Sequence, residues 1–125
     1  MIEIEQVSKK FGAIAAVSDL SFTAVKGEVL GFLGPNGAGK STTMKMVAGF
    51  LRADSGHIRV CGLDVQTRTR AAQSLIGYLP EGAPAYGDMT VRGFLRFIAE
   101  ARGMGVHRRN RLDAVIEQTG LATVL

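Results

Sequence analysis

An α/β fold is predicted by three features of this 125-residue chain. Short β-type runs alternate with stretches of helical periodicity. One run, EVLGFL at 28–33, is apolar almost without a break, the pattern of a strand covered on both faces in a parallel sheet. A glycine-rich loop, GPNGAGKST at 34–42, joins that run directly to a helical pattern.

IEIEQV (2–7) is β-rich and partly alternating, and predicts a strand. KKFG (9–12) reads as a turn. LSFTAV (20–25) alternates again, with Leu20, Phe22 and Ala24 on one face. VKGE (25–28) reads as a tight connection into the apolar strand. After the glycine loop, STTMKMVAGF (41–50) predicts a helix with Met44, Val47 and Ala48 on one stripe. ADSG (53–56) predicts a turn, HIRVCG (57–62) a strand, residues 67–74 a helix, and LIGYLP (75–80) a strand stopped by Pro80. EGAPAYGD (81–88) has no periodicity and reads as loop. Thr90 is placed to cap a helix over about 91–102, whose apolar face is Val91, Phe94, Leu95 and Ile98. Gly103 and Gly105 break it. A last helix fits about 107–119, with Leu112, Val115, Ile116 and Thr119 on one face and Gly120 at its C-terminal cap.

Composition narrows the function classes. Hydrophobic residues at 46% and charged residues at 21% describe a soluble globular protein. The longest apolar runs are too short to span a bilayer, and MIEIEQVSKK lacks the apolar core of a signal peptide, so a cytoplasmic location is expected. The net charge of +4 suits an anionic ligand or surface but is too small to imply nucleic acid. Cys61 is alone, which excludes an internal disulfide; it reads as a small half-buried residue. His57 and His107 have no carboxylate or cysteine pattern near them and read as surface residues.

The loop carries the chemistry. GPNGAGKS fits G-x-x-x-x-G-K-[ST], a spacing that chance would produce in roughly one chain of this length in several hundred. Gly34, Gly37 and Gly39 permit backbone angles that side chains forbid and let amides approach an anion. The N–H groups of about Gly37 to Thr42 can then converge on phosphate oxygens, where the following helix adds its positive end. Lys40 offers a mobile cation to the β- and γ-phosphates, and the Ser41 hydroxyl is a hard ligand for Mg²⁺.

The chain as a whole, through KKFG, SFTAVKGEVLGFLGPNGAGKSTTMKMVAGFL, ADSGHIRVCG and IGYLPEGAPAYGDMTVRGFL, resembles the N-terminal half of the ATP-binding subunit of ABC transporters. Its last block is similar to members that drive export-type, two-component transporters. The resemblance implies an α/β P-loop NTPase fold of ABC ATPase type, incomplete. Residues 1–81 would hold an antiparallel β part and the strand, loop and helix of the Walker A motif. Residues 82–125 would begin the helical subdomain that faces a transmembrane partner. It implies ATP and Mg²⁺ as cofactors, a transmembrane transporter subunit and a second ATP-binding subunit as partners, and a peripheral position on the inner face of the cell membrane.

Residue by residue, Phe11 falls where the family stacks an aromatic on adenine, although the residues alone favour a core role for it. Ala16 falls where a small apolar residue lines the adenine pocket. Gly34, Pro35, Asn36, Gly37, Ala38, Gly39, Lys40, Ser41 and Thr42 form the phosphate loop, with Lys40 as the catalytic cation and Thr42 reaching the α-phosphate. Glu81 stands where the family usually has the glutamine of the Q-loop. A carboxylate keeps the Mg²⁺-ligand role, loses the amide donor and adds negative charge near the γ-phosphate. Arg102, Arg108, Arg109 and Arg111 cluster around the last helix start. A solvated face is the ordinary reading; contact with anionic lipid or with a partner's cytoplasmic loops is the sharper one.

Hydrolysis needs more than this loop: a Walker B strand of four apolar residues then Asp, a base beside it, the family's LSGGQ signature and a switch histidine. HIRVCGLD reaches Asp64 without a clean apolar run, VIE (115–117) is part of a helix, and no LSGGQ-like segment occurs. In the family these elements lie beyond the position of Leu125. The expectation is therefore a chain ending in mid-domain, inactive as an ATPase by itself. The strand at 28–33 would be unpaired, and the product marginal or dependent on a partner. Two other functions fit the same residues: a non-catalytic nucleotide-binding module, and an ABC-type ATPase acting on nucleic acid, which the residues after Glu81 disfavour.

Overall fold

Residues Ile2–Phe11 (β1) and Ile14–Ala24 (β2) form a long antiparallel hairpin, and Ser55–Val60 (β3) and Leu63–Asp64 (β4) extend it into a sheet of order β2-β1-β3-β4. This computed structural model describes residues 1–35, 37–82 and 85–125, which fall into two compact units, Met1–Tyr78 and Leu79–Leu125. The sheet belongs to the first. Its inward positions, Ile4, Val7, Val17, Ile58 and Val60, are buried together with Met46 and Val47 of helix α1 (Lys40–Val47) and Ala72 of the short helix α2 (Thr69–Gln73). Removing that much branched apolar surface from water is the main stabilising term of this unit.

The hairpin is longer than its sequence pattern. Lys9, Lys10 and Phe11 are strand residues paired with Val17, Ala15 and Ile14, and the turn falls at Gly12 and Ala13 rather than across KKFG. Leu20, Phe22 and Ala24 share the more protected face, as the alternation predicts. Bulges interrupt the pairing at Gln6 and Asp19, both non-glycine residues at positive φ (48° and 47°). Each displaced N–H still finds an acceptor: Gln6 donates to Ser21 Oγ at 2.8 Å, and Asp19 to Ser8 Oγ at 2.9 Å. On β3, Gly56 faces the first bulge at φ 83°; a Cβ there would lie 2.3 Å from the Gln6 carbonyl oxygen. Asp54 closes this corner, accepting from the Lys10 N–H at 2.7 Å and from Lys9 Nζ at 3.0 Å. Those two bonds hold its carboxyl below the usual carboxylate value.

Two predicted strands do not form. Residues 28–33 and 75–80 pair with no strand among the described residues. Val29 is 98% exposed and Leu33 94%, while Phe32 alone docks, its ring 5.5 Å from that of Phe22. A strand apolar on both faces needs a neighbour on each edge and a cover on each face; this sheet is antiparallel and closes at β2 and β4 without them. Helix α1 also departs from the predicted stripe. It buries Thr43, Met46 and Val47, with Ala48 buried just beyond, and leaves Met44 exposed. Cys61 is exposed on the β3–β4 turn, not half-buried. His57 is exposed as expected, yet a carboxylate does stand near it: Asp64 Oδ2 lies 3.7 Å from its Nδ1.

The second unit is helical. Thr90 caps α3 (Val91–Ala101), its side chain accepting from the Gly93 N–H at 3.1 Å. Gly103 and Gly105 separate α3 from a 3₁₀ turn (Gly105–His107) and α4 (Arg108–Gln118), which ends at Gly120 in the left-handed conformation. Val91, Phe94 and Leu95 are half-buried; Ala99, not Ile98, is the buried residue of the last turn of α3. In α4, Leu112, Val115 and Ile116 face inward, but Thr119 is exposed. The edge of Tyr86 meets Phe97 at 5.9 Å. Among the described residues no helix is long and apolar enough to cross a membrane.

Candidate functional site

The glycine loop folds as a cradle leading into α1. Gly37 and Gly39 take φ of 84° and 90°, conformations that suit glycine, and the Ala38 N–H closes a turn onto the Pro35 carbonyl at 3.1 Å. Gly34 opens the loop and accepts from Lys40 Nζ, so the lysine folds back across the loop with its cation at the mouth. Asn36 lies outside the described residues.

Gly39 is held from below. A Cβ on it would stand 2.3 Å from the Ala16 carbonyl oxygen and 3.1 Å from a Val17 methyl, so the loop backbone rests directly on β2. Thr43, 1% exposed, fastens the other side: its N–H and its hydroxyl both donate to the Gly39 carbonyl, at 2.9 and 2.8 Å. Neither Val17 nor Thr43 stood out in the sequence as a site residue. Thr43 could have been found by its position, four residues beyond Gly39 and three before the buried Met46.

The start of α1 is electrostatically bare. Gly39, at its N-cap, offers no side-chain acceptor, and no acidic residue lies in the first turn. The first N–H groups of a helix have no intrahelical acceptor and carry the positive end of its dipole. An anion is the complementary partner. Ser41 is exposed at this end, and Lys40 and Thr42 are half-buried beside it.

Ala16 is therefore brought against the loop, through its backbone at Gly39. Phe11 stands at the end of β1 opposite Ile14, two residues along β2 from Ala16, or about 7 Å by strand rise. It is not a core residue: its ring is 49% exposed, with Lys9 Nζ 5.6 Å from the centroid. Glu81 is exposed in a turn at the start of the second unit, so the residue with the proposed metal role sits in a different unit from Ser41. Arg108 and Arg109 line a recess whose other basic residues are Arg92 and Arg96 of α3.

A glycine loop opening a capless helix beside a β-hairpin is the arrangement of an α/β domain of P-loop type. The chain belongs to the ABC transporter family, which matches residues 17–125. It is 38% identical over 125 residues to the probable multidrug ABC transporter ATP-binding protein YbhF of Escherichia coli, covering 99% of this chain and 22% of that protein. It is 40% identical over 111 residues to the Nod factor export ATP-binding protein I of Burkholderia lata, covering 89% and 36%. The linearmycin resistance ATP-binding protein LnrL of Bacillus subtilis is 37% identical, with 97% and 39% covered. A solved ATP-binding subunit of an ABC transporter superposes with a TM-score of 0.78 at 29% identity, over 88% of this chain and 46% of that one. The chain thus spans between about a fifth and two fifths of the length of these curated relatives.

Proposed function

We propose that residues 34–42 bind the triphosphate of ATP, and that the protein carrying them powers transport across a membrane as an ABC ATP-binding subunit. The observation that supports the reading is the close seating of Gly39 on Ala16, next to a start of α1 that has no side-chain cap and no acidic residue. In the loop, Lys40 leaves the Gly34 carbonyl to meet the β- and γ-phosphates, and Thr42 reaches the α-phosphate. Pro35, Asn36 and Ala38 supply loop backbone. Phe11 stacks on adenine and Ala16 lines the base pocket.

Mg²⁺ fits the hard oxygen of Ser41, with Glu81 as a second ligand in the Q-loop position; when bound, the ion neutralises charge between the β- and γ-phosphates. Membrane partner, second ATP-binding subunit and position on the inner face of the cell membrane follow the ABC family, and the relatives named for export favour outward transport. Hydrolysis is assigned to the protein that also carries the Walker B strand and LSGGQ segment, neither of which occurs in these 125 residues.

Titration calorimetry of the full chain with ATP and Mg²⁺ tests this reading. Lys40→Ala should weaken binding about tenfold or more, the loss of a charge-assisted contact of roughly 1.5–3 kcal/mol. Ser41→Ala should abolish the Mg²⁺ enhancement, and Glu81→Ala should reduce it while leaving nucleotide binding. Equal affinity in Lys40→Ala would sink the assignment of the loop; unchanged Mg²⁺ dependence in Glu81→Ala would remove that residue from the site.

A further inference from the structure

The helical unit holds a concentration of positive charge that the ATP site does not use. A recess of about 310 Å³ is lined by Arg92 and Arg96 of α3 and by Arg108, Arg109, Leu112 and Asp113 of α4. One carboxylate therefore faces four guanidinium groups on its wall. Arg108 is paired outside that wall with Glu100, while Arg92, Arg96 and Arg109 make no ion pair among the described residues.

This is not how a merely solvated helix pair distributes charge. Arg92 and Arg96 stand at i, i+4 on one helix, a like-charge spacing that weakens a helix, where an acidic partner at either position would strengthen it. Both line the same recess as two arginines of the second helix. The guanidinium fork matches phosphate oxygens two at a time, and several such forks converging on one recess satisfy the acceptors of a phosphate group from different directions. The volume is at the lower end for small-molecule sites, the size of a phosphorylated headgroup rather than of a long chain.

We propose that this recess binds a phosphate-bearing anion. Its phosphate oxygens accept from Arg92, Arg96 and Arg109, with Arg108 held ready by Glu100. Asp113 on the wall limits the negative charge that the recess tolerates. The group comes either from a free phosphate compound or from a phospholipid headgroup, and one experiment separates these sources.

The side-chain Nε–Hε signals of the arginines are followed by NMR in the full chain while inorganic pyrophosphate is added at 150 mM NaCl. In parallel the chain is sedimented with vesicles of phosphatidylcholine and phosphatidylglycerol (3:1), or of phosphatidylcholine alone. Saturable shifts confined to Arg92, Arg96, Arg108 and Arg109, leaving Arg52, Arg59 and Arg68 in place, assign a free phosphate ligand. Sedimentation with the anionic vesicles only, without pyrophosphate shifts, assigns a lipid headgroup. In either case Arg92→Gln with Arg96→Gln lowers the affinity at least tenfold, and Arg92→Lys with Arg96→Lys, which keeps the charge and loses the fork, lowers it less. The proposal is overturned if neither probe binds, if all arginines shift alike, or if both double variants bind as the unsubstituted chain does. Pyrophosphate shifts are read residue by residue in the unsubstituted chain, so a variant that folds poorly leaves that arm intact, and phosphate held at residues 34–42 does not contribute to it; the vesicle arm is read on double variants whose NMR spectra show them folded.

Discussion

The strands that form and the apolar run that does not are separated by a few residues and by one physical difference. β1 finds β2 across a turn at Gly12 and Ala13, and then β3, and each strand needs an apolar cover on one face only. Residues 28–33 are more apolar than β3, yet Val29 and Leu33 stand in solvent. Strand propensity is a demand for neighbours on a half-buried surface, and it is met only where the chain supplies them. The antiparallel part is locally self-sufficient; the parallel-type part depends on partners from further away.

The largest test of that contrast strikes the ladder at its tightest point. Gly56 sits opposite the Gln6 bulge, where a Cβ would meet backbone atoms of Gln6 and Glu5 at 2.3 to 2.5 Å, and its φ of 83° strains any other residue. Gly56→Ala should cost roughly 3 kcal/mol, since both the close approach and the backbone angle are lost. Urea unfolding of the full chain reads it as a lower midpoint, and hydrogen exchange as lost protection at Ile4 and Ile58. An unchanged ladder would mean that β1 and β3 are not paired in this register.

A paired substitution comes next. Ile4, 2% exposed, is in the core, and Ile4→Ala should cost about 2–4 kcal/mol. Leu33, 94% exposed, should tolerate Leu33→Ser within about 0.5 kcal/mol and gain solubility by the loss of an exposed apolar group. Comparable losses at both positions would show that the 28–33 segment is packed as a strand after all, and would close the gap between the two regions.

The sequence made the first region legible and the second misleading for the same reason. Alternation in LSFTAV, the Thr90 cap, the glycine breaks at 103 and 105 and the motif at 34–42 are local signals, and each appears where it was read. EVLGFL and LIGYLP are local signals too, yet neither forms a strand, because no strand among the described residues pairs with them. KKF was misread because a β-hairpin continues through charged residues when one face is wet. Of the candidate site, the glycine loop was visible in the motif, and the resemblance pointed to Ala16, whose carbonyl lies against Gly39. The buried Thr43 that anchors Gly39 was passed over, although its place four residues beyond Gly39 puts its hydroxyl one helical turn from that carbonyl. Nor does helix periodicity tell which arginines share a recess, so Arg92 and Arg96 were passed over.

The smallest effect concerns the electrostatic latch on the same hairpin. The Asp54 carboxyl is held below its ordinary value first by the Lys10 N–H and then by the Lys9 ammonium. A depressed folded value means that the unfolded chain binds the proton more readily, so protonation favours unfolding. The latch is therefore complete above the ordinary value of 3.8 and is lost as the pH falls below that toward the folded value. Asp54→Asn removes the charge at every pH while leaving one carbonyl acceptor. At neutral pH it should lower the urea midpoint by less than either Gly56→Ala or Ile4→Ala, because the group is exposed and its ion pair screened. Below pH 4 the difference between the substituted and unsubstituted chains should shrink, and 1 M salt should shrink it at neutral pH by weakening the attraction of Lys9 and Lys10. A difference that stayed constant from pH 7 to pH 3 would mean that Asp54 supports the corner through its shape and not its charge. The hairpin would then owe its self-sufficiency entirely to the strand neighbours and apolar cover that residues 28–33 lack.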